Sequence, residues 1–130
     1  LRKDVSTDGR HANVEFISDW EMDAKRRDFT INAIYSNLKG EIHDPLGGLK
    51  DLENKIVKFI GDPNKRIKED YLRILRYFRF YTQYSKHQHD IEIVQAIKRS
   101  LNGITKISKE RILDEFIKIL NLKNPPINIY

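Results

Sequence analysis

Apolar and polar positions follow two different rhythms along the chain. Up to about residue 60, short apolar runs alternate with turn signals. Val14–Ile17 reads as a strand after the Asp8-Gly9-Arg10 turn, Leu38–Ile42 as a tight turn between two strands, and Val57–Ile60 as a strand stopped by Gly61-Asp62-Pro63. Thr30–Ser36 is apolar at every second or third position, so strand and helix both fit it. Asp44-Pro45-Leu46-Gly47-Gly48 reads as a loop, with a short helical turn over Leu49–Asn54 behind it. Beyond Pro63 the period becomes helical. Ile67–Tyr84 contains no Gly or Pro and carries Leu72, Leu75, Phe78 and the pair Ile74/Phe80 as an apolar stripe. A polar break at His87–His89 precedes a helix over Asp90–Leu101, with Asp90 as N-cap and Asn102-Gly103 as C-cap. A third helix starts at Ser108, turns Ile112, Leu113, Phe116, Ile119 and Leu120 inward, and ends by Pro125-Pro126. The pattern predicts an α+β chain: a β-rich part over residues 1–62 and a helical part over 63–130.

Composition narrows this reading. A chain of 130 residues suffices for one modest domain or parts of two. With 39% hydrophobic and 33% charged residues it is suited to folding in water rather than to disorder. No apolar run approaches the roughly 20 residues of a membrane helix, and neither a signal peptide nor an organelle leader is legible. There is no cysteine, which excludes disulfides, zinc–thiolate sites and thiol catalysis. The net charge of +5 is a mild pointer to a polyanionic partner such as RNA or nucleotide phosphate. The chain opens on Leu1 rather than Met, which is the expectation for a chain that has been cut or lacks its true start.

Three clusters carry candidate chemistry. Arg26-Arg27-Asp28, with Asn32 four residues after the acid, sets two guanidiniums beside a carboxylate. Such a group binds phosphate while the acid orients the cations or accepts from a ribose hydroxyl; a solvated charge cluster is the plainer alternative. Asp44, Gly47, Gly48 and Asp51 shape a loop that reads as an ordinary turn or, more sharply, as a hinge. Asp70 and Arg73, three apart in a helical pattern, would share one face, with Arg76 a further turn along. An acid and a guanidinium held together supply the acceptor and donors that the Watson–Crick edge of cytosine or adenine demands. On a surface the same pair is worth only about 0.2–0.5 kcal/mol. His11, His43, His87 and His89 lack zinc-ligand spacing, and His87 and His89 read as solvated. Tyr77, Tyr81 and Tyr84 suit base stacking or, more plainly, packing at a bundle edge.

Together these segments form a longer pattern. Arg26-Arg27-Asp28-Phe29-Thr30-Ile31-Asn32-Ala33 resembles the RRDxxxN motif of class II CCA-adding tRNA nucleotidyltransferases and poly(A) polymerases. Asp44–Leu52 resembles that family's next motif, Glu69-Asp70-Tyr71-Leu72-Arg73 its EDxxR motif, and Ser108-Lys109-Glu110-Arg111 with Glu115 the motif bracing its neck helices. Arg2–Ala12 fits the stretch ahead of RRDxxxN. The order and spacing hold to about residue 120.

The resemblance implies the end of a polymerase-β-like nucleotidyltransferase head, with short antiparallel strands, followed by an all-helical neck. It implies that Arg26, Arg27, Asp28 and Asn32 contact the sugar and triphosphate of an incoming nucleotide. Asp70 and Arg73 would pair with its base, and Arg76 would lie near the triphosphate or brace that pair. Asp44–Leu52 would let head and neck move between CTP and ATP additions to a tRNA 3′ end.

One departure is large. The family's DxD carboxylates, which hold magnesium, do not occur in this chain, and Glu15 and Asp19 lie too far along to substitute. No residue here is therefore expected to be catalytic or to ligate metal; Mg2+ would belong to the complete enzyme, and the chain alone would be inactive. The alternatives are a poly(A) polymerase piece, or a non-catalytic RNA- or nucleotide-binding subunit pairing with a separate head fragment. The expected location is cytoplasmic, with mitochondria left open.

Overall fold

A computed structural model describes residues 19–123. Residues 19–26 form helix α1. A 3-10 turn follows at Thr30–Asn32, then a hairpin of β1 (Tyr35–Ser36) and β2 (Ile42–His43), then α2 (Gly48–Glu53). The helical part comprises α3 (Pro63–Glu69), α4 (Leu72–Tyr84), α5 (Ile91–Ser100), a 3-10 segment at Leu101–Lys106, and α6 (Lys109–Leu120). The strand expected at Val14–Ile17 and the stop at Pro125-Pro126 lie outside the described residues.

The hairpin is antiparallel, with Tyr35 opposite His43 and Ser36 opposite Ile42. Asn37 builds its turn: the side-chain oxygen accepts from the amides of Lys39 and Glu41, both at 2.9 Å, and Gly40 supplies a φ of 81°. The undecided Thr30–Ser36 stretch is thus divided between a 3-10 turn and a strand. The strand expected at Val57–Ile60 is reduced to a single bridge between Phe29 and Phe59. Thr30 N–H donates to the Lys58 carbonyl and Ile60 N–H to that of Asp28, and the ladder stops because residue 30 already enters the 3-10 turn.

The continuous helix expected over Ile67–Tyr84 is broken. Asp62 caps α3 by accepting from Asn64 N–H. The chain is then extended at Asp70 (φ −157°, ψ 106°), whose side chain accepts from Leu72 N–H at 3.1 Å and so starts α4. Aspartate competes well for such a position, and no Gly or Pro is needed to make the break. The caps expected at Asp90 and Ser108 are present. The C-cap expected at Asn102-Gly103 is not: the chain runs on as 3-10 helix, and Gly103 instead lies against the Tyr71 ring, where a Cβ would come within 2.1 Å of Cδ1.

One core joins both parts. Phe29, Val57 and Phe59 from the first pack with Ile67, Ile74, Tyr77 and Ile97 from the second. Gly61 (φ 78°) and the Asp62 cap lead the chain into α3. Two inward assignments are corrected. Phe78 is exposed, and Tyr77 takes the buried position on α4. On α6, Leu113, Phe116 and Leu120 face outward, while the fully buried residue is Glu115, paired with Arg79 of α4. The apolar residues of the helix lie along one side and most of that side is exposed, so the Glu115–Arg79 ion pair rather than the apolar stripe marks the face turned inward.

Candidate functional site

A cleft of about 260 Å³ opens between the end of α1 and the start of α4, walled by Arg26, Arg27, Asp28, Asn32, Asp70, Leu72, Arg73, Arg76 and Arg111. Five arginines face two aspartates there. All seven residues expected to bind a nucleotide are brought together, and Arg111 joins them from α6.

The first wall is built on Asp23. Placed three and four residues before Arg26 and Arg27 on α1, its buried carboxylate pairs with both guanidiniums. Tyr35 completes the set: its hydroxyl donates to Asp23 Oδ2 at 2.6 Å, and Arg27 Nε lies 3.2 Å from the hydroxyl oxygen. Burial pushes the Asp23 carboxyl up, but the bonds from Tyr35 and Arg27 outweigh it and hold the group below its ordinary range. Trp20 stacks on Tyr35 with ring centroids 5.4 Å apart, so the hairpin supports the arginine pair from behind.

Asp28 forms the floor and is almost wholly buried. Oδ2 accepts from Arg76 Nε, and Oδ1 from Asn32 Nδ2 at 2.6 Å and from Phe29 N–H at 3.1 Å. Burial raises this carboxyl, yet the Arg76 bond and charge, with Asn32, bring it below the usual carboxylate range. Arg76 is in turn held protonated by Asp28 against the cost of its own burial. Asp28 therefore acts on the cleft through the cation and amide that it fixes.

The second wall departs from the expected geometry. Because the helix breaks at Asp70, Asp70 and Arg73 do not share a helix face and do not pair with each other. Arg73 Nη1 donates to the Arg66 carbonyl at 2.8 Å and to Glu69 Oε2 at 3.1 Å, and Nη2 to the Arg26 carbonyl at 3.3 Å. Arg66 likewise bonds Glu69 at 2.7 Å and the Arg27 carbonyl. Asp70 pairs in a fork with Arg111: Nη1 to Oδ1 at 3.2 Å, Nη2 to Oδ2 at 2.8 Å. Burial raises the Asp70 carboxyl; the Arg111 bond, the Leu72 amide and the charges of Arg111 and Arg73 reverse that and lower it. Both Asp70 and Arg73 still line the cleft.

The loop expected as a hinge is anchored at both ends. Asp44 caps α2 by accepting from Gly48 N–H at 2.7 Å and Leu49 N–H at 3.0 Å, and Gly47 has a φ of 73°. Gly48 lies so close to the 3-10 turn that a Cβ would approach the Thr30 carbonyl oxygen to 2.0 Å, and Thr30 Oγ1 donates to Asp51 at 2.6 Å.

Of the aromatic candidates, Tyr77 is buried in the core, and Tyr81 stacks on His89 at 3.8 Å. His89 also bonds the Tyr77 hydroxyl and His87 bonds the Asn54 carbonyl, so both histidines are exposed yet partnered. Among the described residues no three carboxylates or histidines converge on a point. The described cleft, with five arginines against two aspartates that are both ion-paired, therefore does not fit a divalent metal. No described helix is long and apolar enough to cross a membrane.

Asp23, Tyr35, Arg66, Glu69 and Arg111 were not singled out for the cleft from sequence. The spacing of Asp23 to Arg26 and Arg27 was the legible signal for the first of them. Arg111 was legible only as part of a helix-bracing motif, because its partner lies 41 residues away.

The site is thus an arginine-walled cleft with one clamped and one reachable carboxylate, set in an α+β architecture. Residues 1–58 match the family described as Poly A polymerase head domain, and residues 90–129 that described as Probable RNA and SrmB-binding site of polymerase A. The chain is 52% identical over 122 residues to CCA tRNA nucleotidyltransferase 1, mitochondrial, of Homo sapiens, covering 92% of this chain and 28% of that protein. It superimposes on the Bacillus stearothermophilus CCA-adding enzyme in complex with CTP with a TM-score of 0.68 at 37% identity, over 76% of this chain and 25% of that one. A CCA-adding enzyme in complex with ATP gives 0.71 at 30% identity, over 87% and 28%.

The chain belongs to the family of CCA-adding tRNA nucleotidyltransferases and poly(A) polymerases. Its fold is the end of a polymerase-β-like head with a short antiparallel hairpin, followed by a helical neck. It spans about 28% of the length of the curated relatives it matches.

Proposed function

We propose that this chain is the nucleotide-selecting part of a tRNA nucleotidyltransferase that adds CCA to tRNA 3′ ends from CTP and ATP. The observation that carries the reading is the cleft itself, where the RRDxxxN and EDxxR residues meet across 40 or more residues of chain. Arg26, Arg27 and Arg76 supply fixed positive charge for a triphosphate. Asp28 and Asn32 hold that charge in place and border the sugar. Asp70 offers an acceptor to a base amine, and Arg73 donors to the neighbouring ring atom, so protein groups do the work of a template. The Asp44–Asp51 segment is the proposed pivot between head and neck, with α2 pinned to the head side through Thr30. Mg2+ and the carboxylates that hold it belong to the complete enzyme, where they would activate the RNA hydroxyl and the leaving pyrophosphate. Cytoplasm and mitochondria both fit as its location, the latter by the name of the human relative.

The test is nucleotide binding and transfer. The chain should bind CTP and ATP in preference to UTP and GTP, as read by titration of amide resonances, and should incorporate no CMP or AMP into a tRNA lacking CCA. Indifferent binding of all four nucleotides would remove the base-reading role; incorporation by the pure chain would remove the division of labour. The head-domain match favours a second reading, a poly(A) polymerase. Competition between CTP and ATP separates the two, since that enzyme would select ATP alone.

A further inference from the structure

Arg111 stands at the place in the cleft where a group outside the RRDxxxN and EDxxR segments touches a group proposed to read a base. Its fork takes one bond on each oxygen of Asp70, at 3.2 and 2.8 Å, and the Leu72 amide takes a third on Oδ1. A carboxylate has about four acceptor sites. With Oδ1 engaged twice and Oδ2 once, a single site on Oδ2 is left. Both side chains are partly solvent-reachable, at 52% and 32% exposure, so the pair is open to a ligand in a way that Asp28 is not.

We propose that Arg111 is a specificity-determining positioning residue: by holding the Asp70 carboxylate in one orientation with a single free acceptor, it makes the cleft select bases that present an exocyclic amine over bases that present a carbonyl at that place. This rests on the reading of Asp70 as a base-reading group and goes beyond it, because it assigns the discrimination to a residue on a different helix that need not touch the base.

The chemistry follows from what an aspartate can be. As a carboxylate it only accepts, and it meets a carbonyl oxygen with repulsion. As a neutral acid it can also donate, and then a carbonyl is as good a partner as an amine. Around Asp70 stand Arg111 of α6, Arg73 and Arg76 of α4, and Arg26 and Arg27 across the cleft, with Glu69 beside it in the chain and Asp28 on the floor. Arg111 makes the only guanidinium bonds to it among the described residues; the others act through space. Removing that fork frees the carboxylate to rotate about the Leu72 bond and weakens its hold on the ionised form. Arg111 is itself held in place because Glu115, one turn on along the same helix, is buried against Arg79.

The experiment compares CTP with UTP, and ATP with GTP, as ligands for the wild-type chain and for Arg111→Gln and Arg111→Lys, by titration of amide resonances. For wild type the amine-bearing base should be preferred by a ratio that stays flat between roughly pH 8 and roughly pH 5, since Asp70 remains ionised throughout. In Arg111→Gln the ratio should fall by about tenfold, the worth of one charge-assisted hydrogen bond, and should fall further toward the acid end. Arg111→Lys, which keeps the charge but loses the fork, should recover the pH independence and only part of the ratio.

If Arg111 merely braces the helices, affinity for all four nucleotides drops together and the ratio holds, which overturns the proposal; Arg111→Lys decides the matter in the same way should Arg111→Gln fail to fold. If the wild-type chain itself shows no preference, the base-reading role of Asp70 is what fails, and the proposal with it.

Discussion

Two aspartates face the same cleft and are used in opposite ways. Asp28 is 4% exposed and has every bond made within the protein: Arg76, Asn32 and a backbone amide. Asp70 is about a third exposed, caps a helix with one oxygen and meets an arginine that is itself half in solvent. Both are paired, and both have carboxyls held below the ordinary range. Pairing alone therefore does not distinguish a group that builds a site from one that reads a ligand. Each keeps one acceptor site on Oδ2, and exposure decides whether a ligand can reach it.

Substitutions should separate the two, most strongly at the floor. Asp28→Ala leaves the Arg76 guanidinium half-buried without a partner and should cost about 3–5 kcal/mol in urea unfolding, the range for breaking a buried pair. A loss below about 1 kcal/mol, the worth of an exposed pair, would erase the contrast with Asp70. Asp23→Ala comes next. It strands Arg26, Arg27 and the Tyr35 hydroxyl, should cost about 1–3 kcal/mol, and should weaken binding of inorganic triphosphate; unchanged triphosphate affinity would contradict its role in setting the arginine pair.

Acid should act mainly through the floor. The folded-state value of Asp28 is depressed, so its stabilisation is complete above about pH 4 and is lost as pH falls through that lower value. The urea midpoint of the wild type should therefore drop more steeply below about pH 4 than that of Asp28→Asn. Parallel slopes would show that other carboxylates carry the acid limb. The smallest stability effect belongs to Asp70→Asn, under about 1 kcal/mol for an exposed pair, yet this variant should lose the preference for amine-bearing bases.

Much of the architecture was legible before any coordinates, for local reasons. The change of period near Pro63, the caps at Asp90 and Ser108, and the turn between two strands at Leu38–Ile42 each depend on residues a few positions apart. The failures involve distance. The break at Asp70 was hidden because the apolar period continues through it, and only a side chain capping the next helix shows that the chain restarts. The expected pairing of Asp70 with Arg73 failed for the same reason, since each finds its partner elsewhere. Val57–Ile60 carries a strand composition but has no extended neighbour to continue the ladder. The cleft residues were gathered by motif order, whereas Asp23, Tyr35 and Arg111 belong to it through contacts that a linear reading does not rank.

Glu115 has a consequence beyond joining two helices. The oily side of this helix stays largely in water, so shielding that surface does not by itself choose among the helix's rotations. A single acid that must find a single guanidinium removes that freedom, as a notch lets a key enter a lock only one way. Once Glu115 has met Arg79, the residue one turn earlier has no choice of direction, and the hand that steadies Asp70 is already pointing at it.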